Sequence, residues 1–129
     1  MLRLHKKVAA GARFIQTQAV FDIEGFRQWL ETARREGLAE RTAILAGVMP
    51  LAGAEEAQRL SDTYTDLYIP GSVIERIRSA GDRANQKKEG LRICIELVEV
   101  LKTLQGLRGV HILSGGHEDT VPEIASAAG

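Results

Sequence analysis

The polar run Gln16, Thr17 and Gln18 follows directly on Phe14 and Ile15, an aromatic and β-branched pair suited to a strand. In a parallel α/β protein the carboxyl end of a strand faces the ligand, so Thr17 and Gln18 are candidate contacts. A glutamine there can equally serve only to satisfy loop backbone, and the residues alone leave both roles open. A second cluster, Ser114, Gly115, Gly116 and His117, follows the apolar stretch GVHIL. Paired glycines in such a turn can aim backbone N–H groups at a phosphate beside a helix N-terminus. Glu118 and Asp119 come next and would oppose an anion. With Met49 behind the apolar stretch TAILAGV, these segments put a ligand at strand carboxyl ends, near Gln18, Met49 and Ser114.

Other chemistries find less support. His5, His111 and His117 lack metal-ligand spacing, and no Cys or carboxylate cluster completes a set. His111, inside a predicted strand, reads as a satisfied interior imidazole. Ser114, His117 and Asp119 are close neighbours in sequence, which is not how a nucleophilic triad is assembled. The chain has neither a Walker loop nor a GxGxxG. Cys94 is the one cysteine, so it makes no internal disulfide, and its apolar neighbours mark it as a buried structural thiol. Lys plus Arg total 17 and Asp plus Glu 17, so no bulk field draws in nucleic acid or an anionic membrane. No apolar run approaches membrane-spanning length and no leader precedes the first helix, which predicts a cytoplasmic protein. Aromatic side chains are scarce, against a stacking platform for single-stranded nucleic acid.

Positioning these residues requires an alternating chain. Residues 2–10 read as the tail of a helix, entered from Met1 without a capping residue and stopped by Gly11. The strand that follows ends near Gln18, and Asp22 is placed to cap a helix over residues 23–36, with Phe26, Leu30 and Ala33 on one face and Gly37 as its stop. Residues 42–48 form the second strand. A short helix follows Gly53, with Ala54, Ala57 and Leu60 as its stripe. Residues 64–70 fit a short strand or an extended connection equally well. Ser72 and Glu75 form a capping-box pattern for a helix over residues 73–80. A long helix over residues 82–105 carries Leu91, Cys94, Ile95, Val98, Leu101 and Leu104, and Gly90 could divide it in two. Residues 109–113 are the last strand and residues 118–127 a closing helix. Such alternation predicts right-handed βαβ units and a parallel sheet of three strands, or four. The 129 residues make one domain at most. A complete (β/α)8 barrel takes about 250 residues, so the chain is near half of one.

The run KVAAGA leading to Thr17-Gln18, then Phe21-Asp22 and a helix, resembles the flavin-dependent methylenetetrahydrofolate reductases. The similarity continues through AGVMPL (residues 46–51), YIPGSVIERI (68–77), GVHIL (109–113) and the closing VPEIASAAG. The resemblance implies the last three βα units of a TIM (β/α)8 barrel, residues 1–129 being its C-terminal part and an incomplete domain. It implies FAD at the strand carboxyl ends, a reduced nicotinamide or other electron donor, and hydride transfer onto 5,10-methylenetetrahydrofolate to give 5-methyltetrahydrofolate. Arg3, Lys6 and Lys7 match positions that lie along the FAD, where cations suit its diphosphate. Gln18 matches the glutamine that hydrogen-bonds the pterin.

Three positions depart from the family pattern: Glu56 stands where a glutamine is expected, Leu60 where an aromatic packs on the folate, and His117 where a basic residue reaches its tail. Glu56 and His117 therefore join Gln18 as candidate substrate contacts. The proton-transferring acid and the main FAD loops belong to the first five strands, so this chain alone is expected to be incompetent in catalysis. A non-catalytic fragment or binding module is the alternative. An open three-stranded sheet leaves edges unpaired and an inner face uncovered. Pairing with the missing barrel portion, self-association or a partly molten state is expected.

Overall fold

A computed structural model describes residues 2–129. Met1, where the first helix is entered, lies outside them. Helix α1 (Leu2–Ala9) ends in basic residues that complement its dipole, and Gly11, at φ +104°, turns the chain into strand β1 (Phe14–Ala19). Helix α2 (Ile23–Arg35) buries Phe26, Leu30 and Ala33, the predicted stripe, and Trp29 stacks on Phe26 at 5.7 Å. Asp22 is the N-cap by position only. Its side chain makes no cap hydrogen bond, and its backbone carbonyl instead accepts the Phe26 N–H.

A four-residue helix, α3 (Leu38–Arg41), precedes strand β2 (Ala43–Val48). Helix α4 (Ala54–Thr63) buries Ala54 and Ala57. Residues 64–70 form no strand; they are an extended connection that brings Leu67 and Ile69 into the core. Helix α5 (Gly71–Arg78) starts one residue before Ser72, with Pro70 as N-cap, so the predicted capping box does not form; Glu75 instead accepts from Arg78 and Ser79. Helix α6 (Arg83–Leu101) is a single continuous helix, capped by the Asp82 side chain accepting the Asn85 N–H. Gly90 does not divide it. A methyl group there would overlap the Leu51 carbonyl oxygen, so glycine marks where α6 lies against the loop after β2. Strand β3 (Gly109–Ile112), a turn of 3-10 helix (Glu118–Thr120) and helix α7 (Val121–Ala128) complete the chain, with Pro122 in the first turn of α7.

The three strands form one parallel sheet in the order β1-β2-β3. Alternation along the strands gives it two unlike faces. Ile15, Ile44, Ala46 and Val48 point into the main core and pack with Phe26, Leu30, Val98, Leu101 and Ile124. A second core joins Ala19, Phe21 and Leu51 to α4, α5 and Ile93 of α6. The opposite face carries Gln16, Leu45, Gly47, Gly109 and His111, and among the described residues no helix covers it. Three parallel strands backed by helices are the architecture expected of barrel βα units. No helix among the described residues is long and apolar enough to cross a membrane.

Candidate functional site

Gln18, Met49 and Ser114 meet as the sequence predicted. They line one cavity of about 610 Å³ at the carboxyl end of the sheet, together with Leu60, Tyr64, Leu67 and Leu113. Its surface is mostly apolar, and Gln18, Ser114, Thr63, Thr65 and Asp66 are the polar residues beside Tyr64 in its lining, which suits a ligand held by a few directed hydrogen bonds. Gln18 also borders a groove of about 430 Å³ on the outer flank of β1, floored by Phe26 and Trp29 and walled by Tyr68. The two tyrosines were not singled out from sequence. Tyr64 follows Leu60 by one helical turn, and that spacing was the available signal.

Gln18 is aimed by an irregularity in β1. Pairing with β2 runs from Gln16↔Leu45 to Ala19↔Gly47, so β1 spends one residue more than β2 over that step. This is a β-bulge, which re-aims side chains near sites. The Thr17 hydroxyl accepts the Gly47 N–H at 3.1 Å and donates to the Gln18 carbonyl at 2.8 Å. His111 is the satisfied imidazole predicted: its Nε2 lies 2.9 Å from the Thr17 carbonyl oxygen.

Glu56 and His117 come together although 61 residues separate them in sequence. Their closest approach is 3.0 Å, and both side chains are about four-fifths buried, at 21% and 22% exposure. The Glu56 carboxylate also accepts the Ala52 N–H at 3.1 Å, so it ties the loop after β2 to the loop after β3. Neither residue lines the Gln18 cavity, although Ser114 and Gly115 of the His117 loop do.

The glycine turn closes on itself and makes no phosphate cradle. Gly115 and Gly116 take φ of +59° and +89°, a conformation that requires glycine. The N–H groups of Gly116 and His117 donate to the hydroxyl and carbonyl of Ser114, whose hydroxyl donates to Glu118.

Arg3, Lys6 and Lys7 are exposed on α1, and among the described residues none of them forms an ion pair. His5 on the same helix meets Glu36, just past α2, at 2.7 Å. Lys6 and Lys7 sit in the last turn of α1, before the turn that opens β1, whereas Gln18 lies near the far end of that strand. Lys6 and Lys7 thus lie toward the opposite end of β1 from Gln18, and none of the three cations lines the cavity. Cys94 is buried, which pushes its thiol up to about 12 and keeps it protonated and inert at neutral pH. Among the described residues no group of three or more His, Cys, Asp or Glu could hold a metal ion.

Comparison with known proteins supplies the context for this cavity. The family model described as methylenetetrahydrofolate reductase matches residues 1–129. A protein of Caenorhabditis elegans named "Probable methylenetetrahydrofolate reductase (NADPH)" is 27% identical over 130 residues, covering 100% of this chain and 19% of that protein. The 5,10-methylenetetrahydrofolate reductase of Escherichia coli (strain K12) is 27% identical over 112 residues, covering 86% of this chain and 36% of its own. That of Buchnera aphidicola is 26% identical over 130 residues, 43% of its length. The chain spans less than half the length of each of these relatives. With the family match running the whole length of a parallel βα sheet, the chain belongs to the methylenetetrahydrofolate reductase family.

Proposed function

We propose that this chain is the C-terminal part of a (β/α)8 barrel that reduces 5,10-methylenetetrahydrofolate to 5-methyltetrahydrofolate with FAD as cofactor. The observation that carries the reading is Gln18: it stands on a bulge at a strand carboxyl end, in a chain of this family, and lines a cavity with mostly apolar walls. The flavin, when bound, supplies the hydride relay between a reduced nicotinamide or other donor and the folate. The residues present fit the planar rings of such ligands better than a diphosphate, because no cationic side chain lines the cavity. Arg3, Lys6 and Lys7, which match positions along the FAD in the family, are assigned to the diphosphate. Gln18 is assigned to the folate's pterin, offering a donor and an acceptor from one amide. His117 is assigned to the folate tail and Glu56 to the substrate, and binding there requires the pair to exchange its own contact for the ligand.

That internal pairing favours a second reading, a non-catalytic fragment, because a carboxylate and an imidazole that satisfy each other gain less from a ligand. Co-expression with the remaining barrel portion separates the two. The catalytic reading expects a yellow complex that oxidises its donor and reduces 5,10-methylenetetrahydrofolate to 5-methyltetrahydrofolate; a well-folded complex that stays colourless with added FAD overturns it. In the active complex, Gln18→Ala is expected to slow the folate half-reaction about ten- to a hundredfold, from roughly 1–3 kcal/mol of lost contact, and to spare flavin reduction. Equal loss in both half-reactions would make Gln18 structural.

A further inference from the structure

His111 stands on β3, two strands away from the bulge that it touches. In the sheet it is the register partner of Gly47, and Gly47 is the partner of Ala19. Its ring therefore has to cross β2 to reach the Thr17 carbonyl. Gly47 makes the crossing possible. A Cβ at that position would lie 2.7 Å from the Thr17 oxygen and 2.9 Å from the Gln18 oxygen, closer than real Cβ atoms come. The bulged carbonyls thus occupy the space that a side chain on β2 would fill, and the imidazole closes over them.

The chemistry of the contact is one-directional. A carbonyl oxygen can only accept, so the His111 Nε2 carries the proton. The contact is half-buried, and losing the donor would leave a carbonyl unpaired there. The Thr17 hydroxyl holds the bulge from within β1, the Gly47 backbone holds it from β2, and the imidazole holds it from β3. A bulge that relaxes shifts the register of the residues beyond it, and a one-residue slip turns a side chain to the other face. Gln18 is the residue that such a slip would re-aim.

We propose that His111 is a positioning residue: by donating from Nε2 to the Thr17 carbonyl across Gly47, it fixes the Thr17–Gln18 bulge and so directs the Gln18 amide into the cavity. The proposal rests on the reading of Gln18 as the ligand contact, and its test keeps the two apart. Two variants are compared with the parent protein, His111→Leu, which removes the donor, and His111→Gln, whose amide nitrogen reaches about as far as Nε2. Nitrogen-15 NMR is expected to find His111 as the Nε2–H tautomer, and to find the Gln18 amide resonances displaced in His111→Leu and returned in His111→Gln. An Nδ1–H tautomer, or Gln18 resonances unmoved in His111→Leu, overturns the proposal whatever the ligand does. Binding of 5-methyltetrahydrofolate to the flavin-loaded protein gives the functional arm. His111→Leu should weaken it about tenfold, His111→Gln should recover most of the loss, and His111→Leu should add little in a Gln18→Ala background. Additive losses overturn the claim that His111 acts through Gln18. If Gln18→Ala alone binds the folate normally, the ligand assignment of Gln18 fails, and the NMR arm still decides whether His111 sets the bulge.

Discussion

The two faces of the sheet are built from the same strands and are finished differently. On the helical side Ile44 and Ala46 are 0% exposed and Val48 1%, under Val98, Leu101 and Ile124. On the open side Phe14 is 57% exposed and Leu113 36%, with Gln16, Gly47, Gly109 and His111 between them. The apolar stretch TAILAGV would by itself put apolar side chains on both faces of β2. The open face is more polar and smaller in its side chains than that. Its apolar side chains are Phe14, Leu45 and Leu113, and Gly47 and His111 hold the backbone of β1. One face is a core, and the other is open and steadies the backbone of β1.

One test of this contrast falls on the helical side. Gly90→Ala gains helix propensity of about 1 kcal/mol in α6. It also drives a methyl group into the Leu51 carbonyl, where backbone on both sides leaves nothing flexible to yield. Overpacking of this kind costs about 1–3 kcal/mol and sometimes more, so the net effect is destabilising despite the better helix former. A urea titration would find the midpoint lowered, and a variant as stable as the parent would show that α6 does not lie so close to the loop after β2.

Adjacent residues sharpen the comparison further. Ile15 is 9% exposed within the main core, and Phe14, its neighbour, points the other way. Ile15→Ala is expected to cost roughly 2–5 kcal/mol. Phe14→Ser should change the stability of the chain itself by about 0.5 kcal/mol or less, as exposed substitutions do. Its effect belongs to association: sedimentation should find Phe14→Ser less prone to self-associate, and less able to pair with the remaining barrel portion. Equal destabilisation by the two substitutions would mean that the open face is already packed.

These contrasts also mark what the sequence could convey. Strand positions followed from short apolar runs ended by glycine or polar residues, and they agree with the structure to within about two residues, the usual uncertainty of element ends. The ligand-end trio of Gln18, Met49 and Ser114 was legible because parallel topology alone puts strand carboxyl ends together. Helix α3 was not, since four residues between Gly37 and a strand carry no period to read. The Ser72–Glu75 pattern misled because Pro70 already sets the dihedral that starts a helix. Gly90 misled in another way: propensity measures its cost in an isolated helix, while its value lies in a contact with a loop 39 residues earlier in the chain. The Glu56–His117 pair and the reach of His111 to Thr17 are contacts between loops and strands far apart in sequence, and no local spacing encodes them.

A small effect lies in the helical layer, away from both faces of the sheet. Arg76 of α5 donates to both carboxylate oxygens of Glu96 on α6, at 2.9 and 2.7 Å, and to Glu89 at 3.2 Å. The hydrogen bonds from Arg76 hold the Glu96 carboxyl below the ordinary glutamate range, against the small opposing effect of burial. A carboxylate whose folded pKa is depressed adds stability above its unfolded pKa, near 4.3 for glutamate, and loses it as pH falls through the folded value. The Glu96 side chain is 53% exposed, so solvent screening limits the pair to about 0.5–1 kcal/mol despite its two-pronged geometry. Glu96→Gln should therefore be less stable than the parent by that amount at neutral pH. The gap should narrow as the pH is lowered below the glutamate range, because the parent's own carboxyl is then protonated, and high salt should narrow it at neutral pH as well. Thermal melts at several pH values would measure the gap. A difference that persists unchanged at pH about 2, below the range in which glutamate titrates, would assign it to packing between α5 and α6, and the charge would then have no part in joining the two helices.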